Sequence, residues 1–276
     1  DGDGRDDGRR RRLRPVDIDV EGRRDPPQLL DTRLLRDPRR YAESQKLLDH
    51  LRELDAENPR TRDRALPAGR VSQKGARILL GASIVLFGFA AGMLGPLPWQ
   101  LAPVALVIIL GYSLCKRFTS FAHVVLGLAL AGAPLGAWIA VSGRLDPPAW
   151  FLALGVLTWT AGFDVLYALQ DEHFDRARGL RSIPARLGTR GALWVSRGLH
   201  LVALLSWATF NVRLGCHVFP WLAWLGVAMI LTREHWVVRT GQLDRIDHVF
   251  FTLNSLVGPL FFLGHLIEWL LGPGLL

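Results

Sequence analysis

Cysteine is scarce here: 276 residues hold only Cys115 and Cys216. Neither stands at metal-ligand spacing from a second ligand, so nothing supports a zinc centre or a disulfide framework. Both thiols read as packed side chains. Acid is also short relative to base. The 25 Asp and Glu face 33 Lys and Arg, for a net charge of +8 and a pI near 10.4. A basic balance can signal nucleic acid, but no recognition motif accompanies it and no nucleic-acid partner is expected. The opening DGDGRDDGRRRRLR lacks the apolar stretch that a signal peptide needs. The most informative scarcity is charge in the later chain. Hydrophobic residues make up 50% and charged ones 21%, yet mean hydropathy is +0.21. The charges are therefore segregated, and residues 1–77 carry the densest run of Arg and Asp. From Ala76 onward, apolar stretches of about 18–25 residues recur, long enough to cross a hydrocarbon core about 30 Å thick.

These stretches predict an all-α, polytopic membrane bundle. Seven spans are expected, near 76–95, 99–115, 120–141, 148–168, 190–210, 217–234 and 248–271. The loops between them alternate in charge. Arg60, Arg62, Arg64, Arg70, Lys74 and Arg77 precede the first span, and Lys116-Arg117 follow the second. Arg176, Arg178, Arg181, Arg186 and Arg190 follow the fourth; Arg233, Arg239 and Arg245 follow the sixth. The intervening loops, GPLP, SGRLDPP and NVRLG, are short and nearly uncharged. Basic loops stay on the cytoplasmic side of a cell (inner) membrane, so the charged segments share that face. The ten Trp residues mostly fall near span ends and read as interface anchors. Residues 1–33 cannot bury enough apolar surface to fold and read as disordered. Residues 39–56 place Tyr41, Leu47, Leu48, Leu51 and Leu54 at helical spacing. That is an amphipathic helix, lying on the membrane or packed on a cytoplasmic loop.

The segment GFDVLYALQDEHFDRARGLRSIPARLG, residues 162–188, carries the chemistry. On one continuous α-helix, Asp164, Asp171 and Asp175 fall within roughly 40° of one another, with Tyr167 on the adjoining face. Carboxylates at the mouth of a membrane helix are costly without compensation. Oxygen ligands suit a hard divalent ion such as Mg²⁺, which also coordinates substrate phosphate. The expected ligand is a diphosphate held through Mg²⁺. Lys116, Arg117, Arg181 and Arg186 are placed to hold its oxygens. Phe118, Tyr167 and Phe174 are aromatic rings near these charges, and packing is the plainer reading for Phe118 and Phe174. His123 reads as a buried polar residue with one partner, or a substrate contact. His235 and His248 read as residues of the last cytoplasmic loop, and Asn254 as an interhelical hydrogen bonder.

Asp164, Tyr167, Ala168, Asp171 and Asp175 resemble the second aspartate-rich motif of the UbiA superfamily of aromatic prenyltransferases, D-x-x-Y-A-x-x-D-x-x-x-D, and Gly179–Gly188 continues the likeness. DAENPRTRDRALPAGRVS at 55–72 is similar to the stretch that follows the family's first aspartate-rich motif. Residues 111–143 resemble the region with its Lys-Arg pair, and DRIDHVFFTLNS at 244–255 resembles the 4-hydroxybenzoate polyprenyltransferase-like branch. The resemblance covers about residues 52–276 and implies nine spans around a cavity open to the bilayer. It implies Mg²⁺-dependent transfer of a polyprenyl group from its diphosphate to a small aromatic acid such as 4-hydroxybenzoate, in ubiquinone or menaquinone synthesis. On that likeness Asp164, Asp171, Tyr167 and Lys116 are the catalytic candidates. Arg117, Arg181, Arg186 and Arg62 are the substrate-binding candidates, and Asp55, Asp164, Asp171 and Asp175 the metal ligands.

The first motif departs from the family pattern, N-x-x-x-D-x-x-x-D. Asp55 stands at its last position, but Leu51 and Leu47 occupy the other two, and Asp49 points elsewhere on a helix. Residues 1–51 therefore read as a polar segment, disordered or non-native to the UbiA-like domain at 52–276. The chain as written is expected to be weakly active or inactive. A non-catalytic relic is the first competing reading. A transporter is the second, because intramembrane carboxylates also suit ion coupling, but residues 162–188 have no second copy.

Overall fold

Membrane helices start and stop here at residues with a clear physical role. The structure is a computed structural model, and it describes residues 56–58, 61–239 and 246–272, without the side chains of Ser113, Lys116, Arg117, Arg239 and residues 246–250. The expected disorder of 1–33, the amphipathic helix at 39–56, and Leu47, Asp49, Leu51 and Asp55 of the first motif lie outside the described residues. Two units divide the chain, Asp1–Ala68 and Gly69–Leu276. In the first, Thr61 and Arg62 donate their backbone N–H groups to the Asn58 carbonyl at 3.0 and 2.9 Å.

Among its described residues the second unit consists of helices joined by short turns. It comprises α1 (Gln73–Met93), α2 (Pro96–Phe118), α3 (Ala122–Ser142), α4 (Pro147–Tyr167), a 3₁₀ turn (Ala168–Asp171), α5 (Glu172–Ala177), α6 (Ile183–Leu214), α7 (Val218–Arg239) and α8 (Ile246–Leu271). Ser72 caps α1 by accepting the Gly75 N–H at 3.1 Å. Proline opens α2 and α4, where its missing N–H costs nothing. Gly143 and Gly215 close α3 and α6 in the left-handed region, with φ of 73° and 66°.

The places marked by the seven expected spans are all helical, but the number of spans is corrected. Among the described residues, five segments are long and apolar enough to cross a membrane: Gln73–Met93, Ala122–Ser142, Pro147–Ala177, Ile183–Leu214 and Phe251–Leu271. The apolar part of α2 stops at Tyr112, short of Lys116-Arg117. Helix α7 carries Arg233, Glu234 and His235 inside its last turns. His235 is thus helical and half-buried, not a loop residue, and its Nε2 lies 3.1 Å from Nδ1 of His200. The chain is a multi-pass membrane protein.

The core centres on α4, which packs most extensively against α6 and then α3. Small residues allow this: Ala149, Ala153, Gly155, Ala161 and Gly162 are all buried on α4. A Cβ at Gly127 of α3 would run into the Leu157 carbonyl, and one at Gly162 would run into the His200 ring. Toward the uncharged loops, Trp207, Val227, Leu231 and Val257 form a second cluster. Trp207 is only 2% exposed and packs 6.0 Å from the Trp159 ring, so these two indoles are core residues rather than interface anchors. Helix α1 buries only Ala91 and packs mainly on α2.

Candidate active site

The candidate residues gather where α2, α3, α4 and α6 end or begin. Asp164 lies in the last turn of α4, where the helix dipole disfavours an anion by about 0.3–1 kcal/mol. His123, at the start of α3 and fully buried, offsets this: its Nδ1 lies 2.6 Å from Asp164 Oδ2. A hydrogen bond to a charged acceptor contributes about 1.5–3 kcal/mol, so the pairing outweighs the dipole. The Ile183 N–H donates to His123 Nε2 at 3.5 Å. Nε2 therefore keeps its lone pair, and the ring proton sits on Nδ1, facing the carboxylate. His123 thus has two partners, where the sequence suggested one.

The expected single stripe of three aspartates does not form. Helix α4 ends at Tyr167, and Ala168–Asp171 wind as a 3₁₀ turn before α5 begins. A 3₁₀ turn advances about 120° per residue instead of about 100°. Over four residues this rotates Asp171 and Asp175 by about 80° relative to Asp164. Among the described residues, no group of three His, Cys, Asp or Glu could hold a metal ion. Asp171 and Asp175 remain paired in sequence and in burial, at 3% and 2% exposure, and neither is without a partner. Asp175 lies in the first turn of α5, where the dipole favours it. Tyr167 is half-buried and packs on the cluster of Val165, Leu166, Leu169, Ile183, Ala192 and Val238.

The turn after α5 brings cations to the same end. Gly179, with φ of 67°, reverses the chain, and Ser182 caps α6 by accepting the Ala185 N–H at 3.3 Å. Arg181 donates from Nη1 to the Phe118 carbonyl at 2.7 Å, tying this turn to the end of α2 directly after Lys116-Arg117. Ser120, Arg176, Arg181, Ser182 and Arg186 line an open cleft of about 440 Å³. Arg176 is committed elsewhere: it pairs with Glu172 at 3.0 Å and donates to the Ala185 carbonyl at 3.3 Å. Glu172 also accepts from the Thr189 hydroxyl at 2.8 Å, which binds α5 to α6. Arg181 and Arg186 are exposed at the cleft. Phe118 is 47% exposed, while Phe174 is half-buried with the Arg178 guanidinium 5.9 Å above its ring. Lys116 and Arg117 end α2, and their side chains lie outside the described set. Arg62 belongs to the first unit, where it is exposed beside Asp63.

Sequence reasoning missed two residues. Glu172 looked like one more charge in a charged loop. Glu234 of α7 is completely buried, a fact signalled only by its place inside an apolar helix. Asn254 behaves as expected and accepts from Trp159 Nε1 at 3.1 Å.

A profile of the UbiA prenyltransferase family matches residues 52–256. This chain belongs to that family. Among its relatives is the 4-hydroxybenzoate octaprenyltransferase of Chromohalobacter salexigens, 32% identical over 215 residues, which span 77% of this chain and 71% of the relative. The protein of the same name from Sodalis glossinidius is 30% identical over 79% of this chain and 75% of its own length. Among solved structures, the apo structure of a UbiA homolog from Aeropyrum pernix K1 superposes with a TM-score of 0.72 at 30% identity. That match covers 78% of this chain and 80% of the homolog, so this UbiA protein shares the fold over most of its length.

Proposed function

We propose that this UbiA-family protein transfers a polyprenyl group from polyprenyl diphosphate to a small aromatic acid, 4-hydroxybenzoate or a close analogue, at the cytoplasmic face of the inner membrane. The observation that carries the proposal is the two buried carboxylates, Asp171 and Asp175, on the turn and short helix that lead into a cleft lined by Arg181 and Arg186. The relatives named above supply the substrate class, and ubiquinone or menaquinone synthesis is the pathway such a product would enter.

The donor set fits Mg²⁺. That ion is usually held by one or two carboxylates together with substrate phosphates, rather than by an all-protein cage. Asp171 and Asp175 would hold it. Bound there, it would neutralise charge on the departing diphosphate. Asp164 has one oxygen committed to His123 and is assigned to holding the site together.

The chain's own groups account for the remaining chemistry. Arg181, Arg186 and the Lys116-Arg117 pair bind the diphosphate and stabilise it as it leaves with the electron pair of the broken allylic C–O bond. The apolar surroundings keep water from the resulting carbocation. Tyr167, at the end of α4, offers a ring face to that cation. A ring carbon of the acceptor then forms the new C–C bond, and the ring loses a proton to restore aromaticity.

The test uses membranes containing the full chain, labelled polyprenyl diphosphate, 4-hydroxybenzoate and Mg²⁺. Labelled product should form slowly, disappear with EDTA, and fall at least about a hundredfold in Asp171→Asn. Product that survives both changes, or no product from well-inserted protein across a panel of aromatic acids, would sink the proposal.

A further inference from the structure

His123 has a position that ordinary core packing does not require. It is the only residue described above whose side chain joins three helices of the site. It rises from the first turn of α3, reaches Asp164 in the last turn of α4, and accepts the first amide of α6. Both helix ends need such a partner. Asp164 opposes the dipole of its own helix. The first N–H groups of α6 have no intrahelical acceptor, and the Ser182 cap serves only Ala185. The His123 ring serves Ile183, so one buried imidazole satisfies a carboxylate on one side and an orphan amide on the other. Burial makes both bonds matter, because the fully buried imidazole cannot turn to water for either partner. Gly127, one turn further along α3, permits the contact by letting α3 approach the Leu157 carbonyl.

The element this ring anchors carries the cations. Arg181 precedes Ile183 by two residues and Arg186 follows it by three, and the Arg181 bond to the Phe118 carbonyl ties the same turn to α2. We propose that His123 is a positioning residue for prenyl transfer, whose ring clasps Asp164 to the start of α6 and so sets where Arg181 and Arg186 stand relative to the Asp171–Asp175 pair. The proposal rests on the transferase reading above. His123 touches no substrate in this role and acts through the two arginines.

Three variants of the full chain test it: His123→Ala, His123→Asn and His123→Gln. Asn places an amide donor where Nδ1 stands, and Gln can place an acceptor where Nε2 stands. In His123→Ala, KM for polyprenyl diphosphate should rise about tenfold, while KM for the aromatic acid and the yield of folded protein stay unchanged. Gln should recover most of the diphosphate KM, and Asn less. Hydrogen exchange over residues 179–190 should quicken in Ala and Asn but not in Gln. A loss of yield in Ala and Gln alike, with the diphosphate KM of the surviving enzyme unchanged, would reduce His123 to a packing residue. So would unchanged exchange in Ala. If the wild-type chain forms no product, the transferase reading falls together with the catalytic half of this proposal. Exchange at Ile183 then upholds or sinks the clasp by itself.

Discussion

At the scale of single residues, the three aspartates differ in their surroundings. Asp171 and Asp175 are the buried pair, whereas Asp164 is spoken for by a histidine 41 positions away in sequence. The aspartates, Tyr167 and the arginines stand out in the sequence as candidates because a carboxylate or guanidinium beside apolar residues signals itself. The partner of Asp164 does not, because the pairing depends on how closely two helices approach. A quieter case lies at the opposite end of the bundle. Cys216 sits in the short turn between α6 and α7, and burial, reinforced by the nearby Glu268 carboxylate, pushes its thiol up to about 11. Glu268 is held there because Oε1 accepts the His217 N–H at 2.8 Å. A raised thiol pKa leaves the nucleophilic thiolate scarce: at pH 8, about one molecule in a thousand, against roughly one in four for a free cysteine. Iodoacetamide should therefore alkylate Cys216 slowly at pH 8, with a rate that climbs as pH rises toward 11. Glu268→Gln removes the second cause and should quicken labelling at pH 8 several-fold. Labelling of the wild-type thiol at the rate of a free cysteine would contradict this account.

At the scale of elements, the apolar runs marked all seven long helices, and most of their starts agree within a few residues. Two features escaped. The charged stretch from Ile183 belongs to α6, bent at Gly188 where φ is 68° and ψ is 174°. The other is the 3₁₀ turn at Ala168–Asp171. Neither has a local signature strong enough to read, since each is fixed by tertiary contacts: the Glu172–Thr189 bond holds α5 to α6, and His123 holds the first amide of α6. The spacing between α3 and α4 is set in a way that can be broken by one substitution. Gly127 and His123 lie four residues apart on one face of α3, and a side chain at Gly127 meets backbone of α4, which cannot rotate away. Gly127→Leu should lower stability by about 1–3 kcal/mol, the usual cost of overpacking, read as a reduced thermal midpoint in detergent. Prenyl transfer should fall in the folded fraction as well, because parting α3 from α4 also parts His123 from Asp164. An unchanged midpoint would show that the helices yield there.

At the scale of the whole molecule, a complete-looking second aspartate motif coexists with a reduced first one. Family membership rests on residues 52–256, and within them Asp171 and Asp175 are buried while Arg181 and Arg186 line a cleft. The first motif retains Asp55 but has Leu51 and Leu47 where the family pattern has Asp and Asn. Two carboxylates and a substrate phosphate can hold one Mg²⁺; in the proposed reaction the second motif would do so with less charge compensation than two full aspartate motifs supply. Charge stabilisation in a water-poor site is the largest single contribution in most such reactions. Slow turnover is the outcome expected from that shortage, and restoring the missing groups should reverse it. Leu51→Asp, alone and together with Leu47→Asn, should raise prenyl transfer about tenfold or more at saturating Mg²⁺. It should also lower the Mg²⁺ concentration needed for half-maximal rate. Asp171→Asn placed on top of the restored motif should abolish the gain if the proposed transfer depends on both motifs. A gain that persists without Asp171 would mean that the two motifs work independently. No gain in correctly inserted protein would mean that the leucines do not limit the rate, and that the slow step lies in acceptor binding or product release.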